Sequence, residues 1–407
     1  MPKKSIGLLP RVIIAIILGV AAGFVVPLIV VKIFATINGI FSNFLSFCIP
    51  LVIMGLTISG IADLGAGAGK LLLITVALAY ISTILSGFFT YFSAGVFFPY
   101  ILNSAGASAG MIDDPSKSLI GPIFTVGMPP VFDVTTALLL AFILGIGISS
   151  IGGVTLKSGV EEFKKITEKI ITYALIPFLP LYVFGIFLNM SYTGEAFEVI
   201  SVFGKIIVFI LILSVFLLLA QFGIAGLIAR ANPLKMLYTM IPAYITALGT
   251  SSSAATIPVT LEQVKKVGVK EDIADFCVPL CATIHMAGSS MKITGMAMAI
   301  LWTHGQAITI QSFGSFILML GITMVAAPAV PGGAIMAVLG ILKSILGFSP
   351  ENIALMIAVY VAIDSFGTAC NVTGDGAISV IVNRFAGNRL NGNNSGNNND
   401  NNGININ

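Results

Sequence analysis

Charged side chains are scarce in this sequence: Asp, Glu, Lys and Arg make up only 9% of its 407 residues, whereas 57% are hydrophobic. A soluble domain carries about 25% charged residues, so this composition excludes a chain that folds with a water-exposed surface. The formal net charge of +3 is too small to indicate a nucleic-acid-binding protein. The composition therefore predicts a polytopic membrane protein.

Cysteine is also rare, and the four cysteines all lie in apolar stretches. This placement does not indicate a disulfide framework. Cys277 and Cys281 would share a helix face, but no His or further Cys stands at a spacing suited to a metal site. We therefore expect buried free thiols, which behave as small apolar side chains.

The first apolar run, residues 12–31, follows Lys3, Lys4 and Arg11 and could be a signal peptide or a retained helix. A signal peptide has an apolar region of roughly 7–15 residues. A span across the ~30 Å hydrocarbon core of a bilayer needs about 20 residues. The length of the run favours a retained first transmembrane helix.

The apolar stretches divide into uninterrupted spans and segments broken by turn-forming residues. We place eight full spans at 12–31, 38–62, 71–98, 131–152, 170–189, 201–229, 273–302 and 353–383. The broken segments are 236–260, with Gly249 and a serine run, and 313–346, with Pro328, Pro331, Gly332 and Gly333. Irregular backbone at membrane depth is tolerated where protein or a water-filled cavity covers it. We therefore expect an all-α fold with two re-entrant helical hairpins beside a binding site.

The distribution of basic residues predicts the orientation of this topology. With the N-terminus in the cytoplasm, fifteen of the twenty Lys and Arg residues fall on the inner side, as the positive-inside rule requires. Both termini are then cytoplasmic. The Asn-rich tail, 386–407, cannot bury a core and is expected to be disordered.

Four polar residues in the last span predict a binding face. Asp364, Thr368, Asn371 and Asp375 follow i, i+4, i+7, i+11 spacing and would share one helix face. Thr and Asn often make interhelical hydrogen bonds in membranes, but two carboxylates in lipid are costly and indicate function. The stripe favours a site for a cation and a polar solute.

Other polar groups inside the apolar segments are candidates for the same site. Lys292 and His285 lie in the seventh span, and an imidazole can exchange protons near neutral pH. Ser251, Ser252 and Ser253 form the tip of the first hairpin, where half-helix ends expose backbone N–H and C=O groups. Carbonyls at the tip of the second hairpin, Pro328–Gly333, could bind Na⁺ and act as a gate.

These motifs resemble the dicarboxylate/amino acid:cation symporter family. The serine-rich Thr250–Thr260 resembles the hairpin motif of that family, Asp364–Asp375 its last-helix motif, and Val278–Met286 its seventh-helix entry. Pro50–Val52 and Gly60–Gly65 resemble its second helix. The resemblance covers residues from about 10 to 385.

The resemblance implies a homotrimeric transporter in the plasma membrane that works by an elevator mechanism, with the second hairpin as outer gate. Its scaffold would comprise 1–70 (helices one and two) and 101–195 (helices four and five). Its transport domain would comprise 71–100 (helix three) and 196–385 (helices six to eight with both hairpins). It implies Na⁺ as the coupling ion and no organic cofactor. The imidazole of His285 makes H⁺ an alternative coupling ion.

The resemblance also implies roles for individual residues. Asp364 would hold a substrate ammonium, Thr368 and Asn371 would contact substrate carboxylates, and Ser252 and Ser253 would meet the substrate from the hairpin. The residues that would bind Na⁺ are Asp375, Asn371, Thr283, Met286, His285, Tyr80 and Thr83. The gate would be formed by Pro328, Pro331, Gly332 and Gly333.

The departures from the family pattern bear on the substrate. Gly367 stands where members that carry acidic substrates have an Arg, and Gly cannot replace a bidentate guanidinium. Ala287 stands where the family has a cation-binding Asp. Met286-Ala287-Gly288 and Ala254-Ala255 resemble the serine/threonine symporter branch.

Several hypotheses follow from these departures. The first is a neutral amino acid substrate such as serine, threonine or alanine, held by Asp364. The second is an acidic amino acid or dicarboxylate, with Lys292 supplying the missing positive charge; Lys292 could instead pair structurally with Asp364 or Asp375. A passive channel is an alternative from a different functional class. A Ser–Lys hydrolase lacks a nucleophile-elbow motif, so we expect no enzyme.

Overall fold

A computed structural model describes residues 8–65, 70–103, 119–194, 196–325, 327 and 332–393. Within these ranges the chain forms helices joined by turns and one longer irregular stretch, residues 119–133. The first part contains α1 (Leu8–Gly23), α2 (Leu28–Gly65), α3 (Lys70–Asn103), α4 (Val134–Ile151), α5 (Val154–Lys169) and α6 (Ile176–Thr193). A π-helical turn, Ile170–Leu175, joins α5 to α6 without a break.

The second part contains shorter helices that surround the polar residues. They are α7 (Ala196–Ala229), α8 (Pro233–Thr239), α9 (Ile241–Thr250), α10 (Ser253–Val267), α11 (Glu271–Ile284), α12 (Ala287–Thr303), α13 (Ile310–Val325), α14 (Gly333–Leu346), α15 (Pro350–Ala362) and α16 (Asp364–Asn393). α16 continues to Asn393, beyond the end predicted for the transport domain. Residues 394–407 of the predicted disordered tail lie outside the described residues.

Long apolar helices make this a multi-pass membrane protein. Among the described residues, Leu28–Ser59, Leu71–Leu102, Val154–Thr193 and Val199–Ala229 are long and apolar enough to cross a bilayer. Each has at least 31 residues, which at 1.5 Å per residue exceeds the ~30 Å core. α15 and α16 satisfy the same test together but are bent by 62°. The count of eight spans remains a prediction.

The structure corrects three of the predicted spans. The first, 12–31, crosses a turn before Pro27, so α1 ends at Gly23 and α2 begins at Leu28. Proline lacks an N–H and disfavours helix in the residue before it. The seventh span is broken between α11 and α12, at His285 and Met286, and the eighth is broken at Ile363.

The two segments predicted as hairpins each form a pair of packed helices. α9 packs on α10, and α13 packs on α14. Ser251 ends α9 in the left-handed conformation (φ 49°), and Ser252 begins α10 with its side chain accepting a hydrogen bond from the Ala255 N–H. Whether the pairs re-enter the membrane from one side stays a prediction.

Two groups of helices account for most of the packing. In one group α1 packs on α6, and α2 packs on α4 and α5; in the other α12 packs on α3, and α16 packs on α7, α9, α10, α11 and α12. All residues of α12 except Trp302 are buried, which places α12 at the centre of the second group. The four cysteines are buried free thiols, as predicted.

Candidate functional site

The ammonium of Lys292 lies at the break between α15 and α16. Nζ is 3.1 Å from Oδ1 of Asp364 and donates to the backbone oxygens of Asp364 and Ile363 at 3.3 and 3.4 Å. It also lies 3.9 Å from the centre of the Tyr360 ring, a cation–π contact. Lys292 is 0% exposed and Asp364 7% exposed. Of the pairings foreseen for Lys292, the structure therefore shows the one with Asp364.

Gly367 provides the space in which Lys292 lies. A Cβ added at position 367 would collide with Cε and Nζ of Lys292 and come within 2.9 Å of its Cδ. The position at which the resemblance places an Arg in members that carry acidic substrates is therefore adjacent to a cation from another helix. A side chain at position 367 is therefore sterically incompatible with the observed conformation of Lys292.

The second oxygen of Asp364 faces the second helix pair. Oδ2 accepts a hydrogen bond from the backbone N–H of Gly332 at 2.8 Å. Gly332 has φ 74° and directly precedes α14, a conformation that costs glycine little. The carboxylate of Asp364 thus joins Lys292 on one side to the start of α14 on the other.

Thr368 and Asn371 lie on the same face of α16 but make internal contacts. The Thr368 hydroxyl donates to the Asp364 backbone oxygen at 3.1 Å. Asn371 Oδ1 accepts from the N–H groups of Gly288 and Ser289 at 2.8 and 3.3 Å, and its Nδ2 donates to Ser289 Oγ at 3.1 Å. Asn371 thereby satisfies backbone donors at the first turn of α12 that have no partner within the helix.

Asp375 contacts His285 in a second buried polar cluster. His285 Nδ1 is 2.8 Å from Asp375 Oδ1, and His285 Nε2 is 3.0 Å from Ser82 Oγ on α3. Gln221 of α7 donates from Nε2 to the same Ser82 oxygen at 3.0 Å. His285 and Asp375 are each 1% exposed. The cluster connects three helices through side chains that would otherwise be unpaired in an apolar interior.

Comparison with known proteins identifies the family. Residues 8–385 match the sodium:dicarboxylate symporter family. This chain belongs to that family. It is 26% identical over 385 residues to a serine/threonine transporter SstT of Acinetobacter baumannii (strain AYE), covering 91% of this chain and 95% of that protein. A serine/threonine transporter SstT of Acinetobacter baylyi is 26% identical over 387 residues, with the same coverage.

A further relative carries a different substrate in its name. The proton/sodium-glutamate symport protein of Bacillus subtilis is 28% identical over 206 residues, which cover 50% of this chain and 48% of that protein. The resemblance to the symporter family that the motifs indicated is therefore confirmed.

The residues that the symporter family resemblance links to Na⁺ lie at several separate places. Asp375 and His285 form the cluster described above. Thr83 Oγ1 accepts from the Met286 N–H at 3.3 Å, at the break between α11 and α12. Tyr80 donates to the Leu318 backbone oxygen at 3.5 Å and Thr283, which is exposed, to that of Leu280 at 2.7 Å. The Asn371 amide hydrogen-bonds to the first turn of α12. The seven candidate residues therefore do not all meet at one point.

The structure describes some of the predicted hairpin residues but not all of them. Ser253 is buried, and Ser252 caps α10. Gly332 and Gly333 lie at the start of α14, where Gly332 contacts Asp364. Pro328 and Pro331, the other predicted gate residues, lie outside the described residues.

Sequence reasoning missed four residues that complete the two clusters: Tyr360, Ser289, Ser82 and Gln221. Tyr360 lies four residues before Asp364, so the spacing of the polar stripe could have included it. Gln221 is a polar side chain in the strongly apolar α7, a signal for a buried interhelical bond. Ser82 and Ser289 carried no comparable signal, since serines are common in transmembrane helices.

Proposed function

We propose that this protein is a secondary active symporter that couples cation influx to the uptake of a small neutral amino acid such as serine, threonine or alanine. One observation carries the choice of substrate: the only cation beside Asp364 among the described residues, Lys292, is already neutralised by that carboxylate. An additional side-chain carboxylate would be buried without a compensating charge, which is costly. The names of the Acinetobacter relatives support the same class of substrate.

Na⁺ is the proposed coupling ion, in keeping with the family description, and H⁺ is the alternative. The buried carboxylate of Asp375 and the backbone oxygens near the break at Met286 are hard oxygen donors of the kind that bind Na⁺. We place the protein in the plasma membrane as a homotrimer. The packing of α1, α2, α4, α5 and α6 in one group and of α3, α7, α9–α12 and α16 in another supports an elevator mechanism, in which the second group moves.

Uptake into proteoliposomes tests this proposal. We expect labelled L-serine to accumulate against its gradient when Na⁺ is higher outside, and L-aspartate to accumulate far less. Accumulation requires coupling, so it would exclude a passive channel. Accumulation driven by a proton gradient alone, without Na⁺, would show that the coupling ion is H⁺. Accumulation of aspartate but not serine would contradict the substrate assignment.

The alternative substrate is an acidic amino acid or dicarboxylate that pairs with Lys292. The observation in its favour is that the Lys292 ammonium lies beside Gly367, the position at which the resemblance places an Arg in members that carry acidic substrates. If the wild type accumulates aspartate, Lys292→Met should abolish that uptake, since the described residues place no other cation at the site. Unchanged aspartate uptake by Lys292→Met would remove this alternative.

A further inference from the structure

The geometry points to Lys292 as the residue that binds the α-carboxylate of a zwitterionic substrate. The ion pair with Asp364 opens, Lys292 takes the α-carboxylate, and Asp364 takes the α-ammonium, the role that the family resemblance already implies for it. This inference rests on the proposed function and adds to it a carboxylate-binding residue on α12. No covalent step is involved. The substrate is inserted between two charges that neutralise each other in its absence.

The burial of the pair argues for such a role. A buried ion pair is weak evidence for stability, because apolar replacements are often neutral or stabilising. Ionisable residues inside a membrane protein cost free energy and mark binding sites and pathways. Lys292 is fully buried on the central helix α12, and position 367 lacks a side chain where Lys292 passes. The chain thus keeps both a costly charge and the space that it needs.

The other polar groups on this face of α16 leave Lys292 as the carboxylate partner. The Thr368 hydroxyl donates to its own helix, and the Asn371 amide binds the N–H groups and hydroxyl at the start of α12. The three Lys292 hydrogens instead go to Asp364 and to two backbone oxygens at 3.3–3.4 Å. A carboxylate offers a charged acceptor in place of those long bonds.

The charge balance selects the ligand class. Lys292 and Asp364 sum to zero, and a zwitterion with an uncharged side chain also sums to zero. Inserted between them, it makes two new ion pairs and leaves no charge unpaired. An amine without a carboxylate would compete with Lys292 for Asp364, and an acid without an amine would compete with Asp364 for Lys292. The substrate class is therefore an α-amino acid with a neutral side chain.

Asp364 also connects ligand binding to the second helix pair. Its Oδ2 accepts the Gly332 N–H while Oδ1 faces Lys292. A substrate ammonium beside Oδ1 takes the place of the Lys292 ammonium and neutralises the Asp364 carboxylate in the same way. The hydrogen bond from the Gly332 N–H to Oδ2 can therefore persist with substrate bound. The pair in its closed form and the pair with substrate inserted are the two electrically balanced states of the site.

Binding to the purified full-length protein tests the inference with three probes: L-serine, ethanolamine, which lacks the carboxylate, and 3-hydroxypropanoate, which lacks the ammonium. In the wild type we expect serine to bind at least about tenfold more tightly than either, since each lost charged contact costs roughly 1.4 kcal/mol or more. In Lys292→Met the preference over ethanolamine should disappear, and ethanolamine should bind more tightly than in the wild type. The preference over 3-hydroxypropanoate should remain.

Controls separate binding from folding. Lys292→Arg keeps the charge and should restore part of the preference for serine over ethanolamine. The double variant Lys292→Met/Asp364→Asn leaves neither charge buried alone and should fold even where the single variant does not. A wild-type ratio of serine to ethanolamine affinity in Lys292→Met, or in the double variant, would overturn the inference. Failure of the wild type to bind serine, threonine or alanine would instead overturn the proposed function.

Discussion

Gly367→Ala is expected to reduce serine uptake by about 10- to 100-fold, because the new Cβ fills the space from which Lys292 would reach the substrate carboxylate, and a charged contact is lost. The new Cβ would collide with the end of the Lys292 side chain. Because that end is flexible, the helices need not move, but Nζ must leave its place beside Asp364. The effect should therefore appear in binding and transport more than in the thermal stability of the purified protein.

Two comparisons isolate this mechanism. Gly223→Ala on α7 is the matched control, because a Cβ there meets no atom within 4 Å, and its uptake should equal that of the wild type. In a Lys292→Ala background the atoms that Cβ would strike are gone, so adding Gly367→Ala should cost little more. A full additional loss in that background would show that Gly367 is needed for some reason other than Lys292.

The polar face of α16 was predictable because the four side chains lie in one helix, where spacing alone determines which residues share a face. Asp364, Thr368, Asn371 and Asp375 all lie in α16. Their partners were not predictable in the same way. Lys292 lies 72 residues from Asp364 and His285 90 residues from Asp375, so each pairing depends on how α12 and α16 pack.

The helix breaks show a second limit of the sequence pattern. Pro279 lies inside α11, yet the chain breaks at His285 and Met286, where neither Pro nor Gly stands at the break. The break at Ile363 has no such residue either. In both places buried side chains satisfy the freed backbone groups: Asn371 accepts from the start of α12, and Lys292 donates to the oxygens of Ile363 and Asp364. These tertiary contacts override local propensity.

Asp375→Asn is expected to abolish Na⁺-dependent serine uptake. The Asp375 carboxylate is 1% exposed and contacts His285 at 2.8 Å. It is the only carboxylate in that cluster among the described residues, and the proposed function assigns it to the coupling cation. An amide keeps the shape and one oxygen but lacks the charge, so it would hold a cation far less tightly in a site of low dielectric constant.

The measurement is serine uptake as a function of external Na⁺, for the wild type and Asp375→Asn. Asp272→Asn supplies the control, since Asp272 is an exposed carboxylate in the first turn of α11, and its Na⁺ dependence should match the wild type. We expect the Asp375→Asn protein to retain binding of serine to the Lys292–Asp364 pair at high substrate concentration, because Asp364 lies about three turns away along α16. Loss of Na⁺ dependence with retained serine binding would locate coupling at Asp375, whereas unchanged Na⁺ dependence would assign the carboxylate to the structural pair with His285 alone.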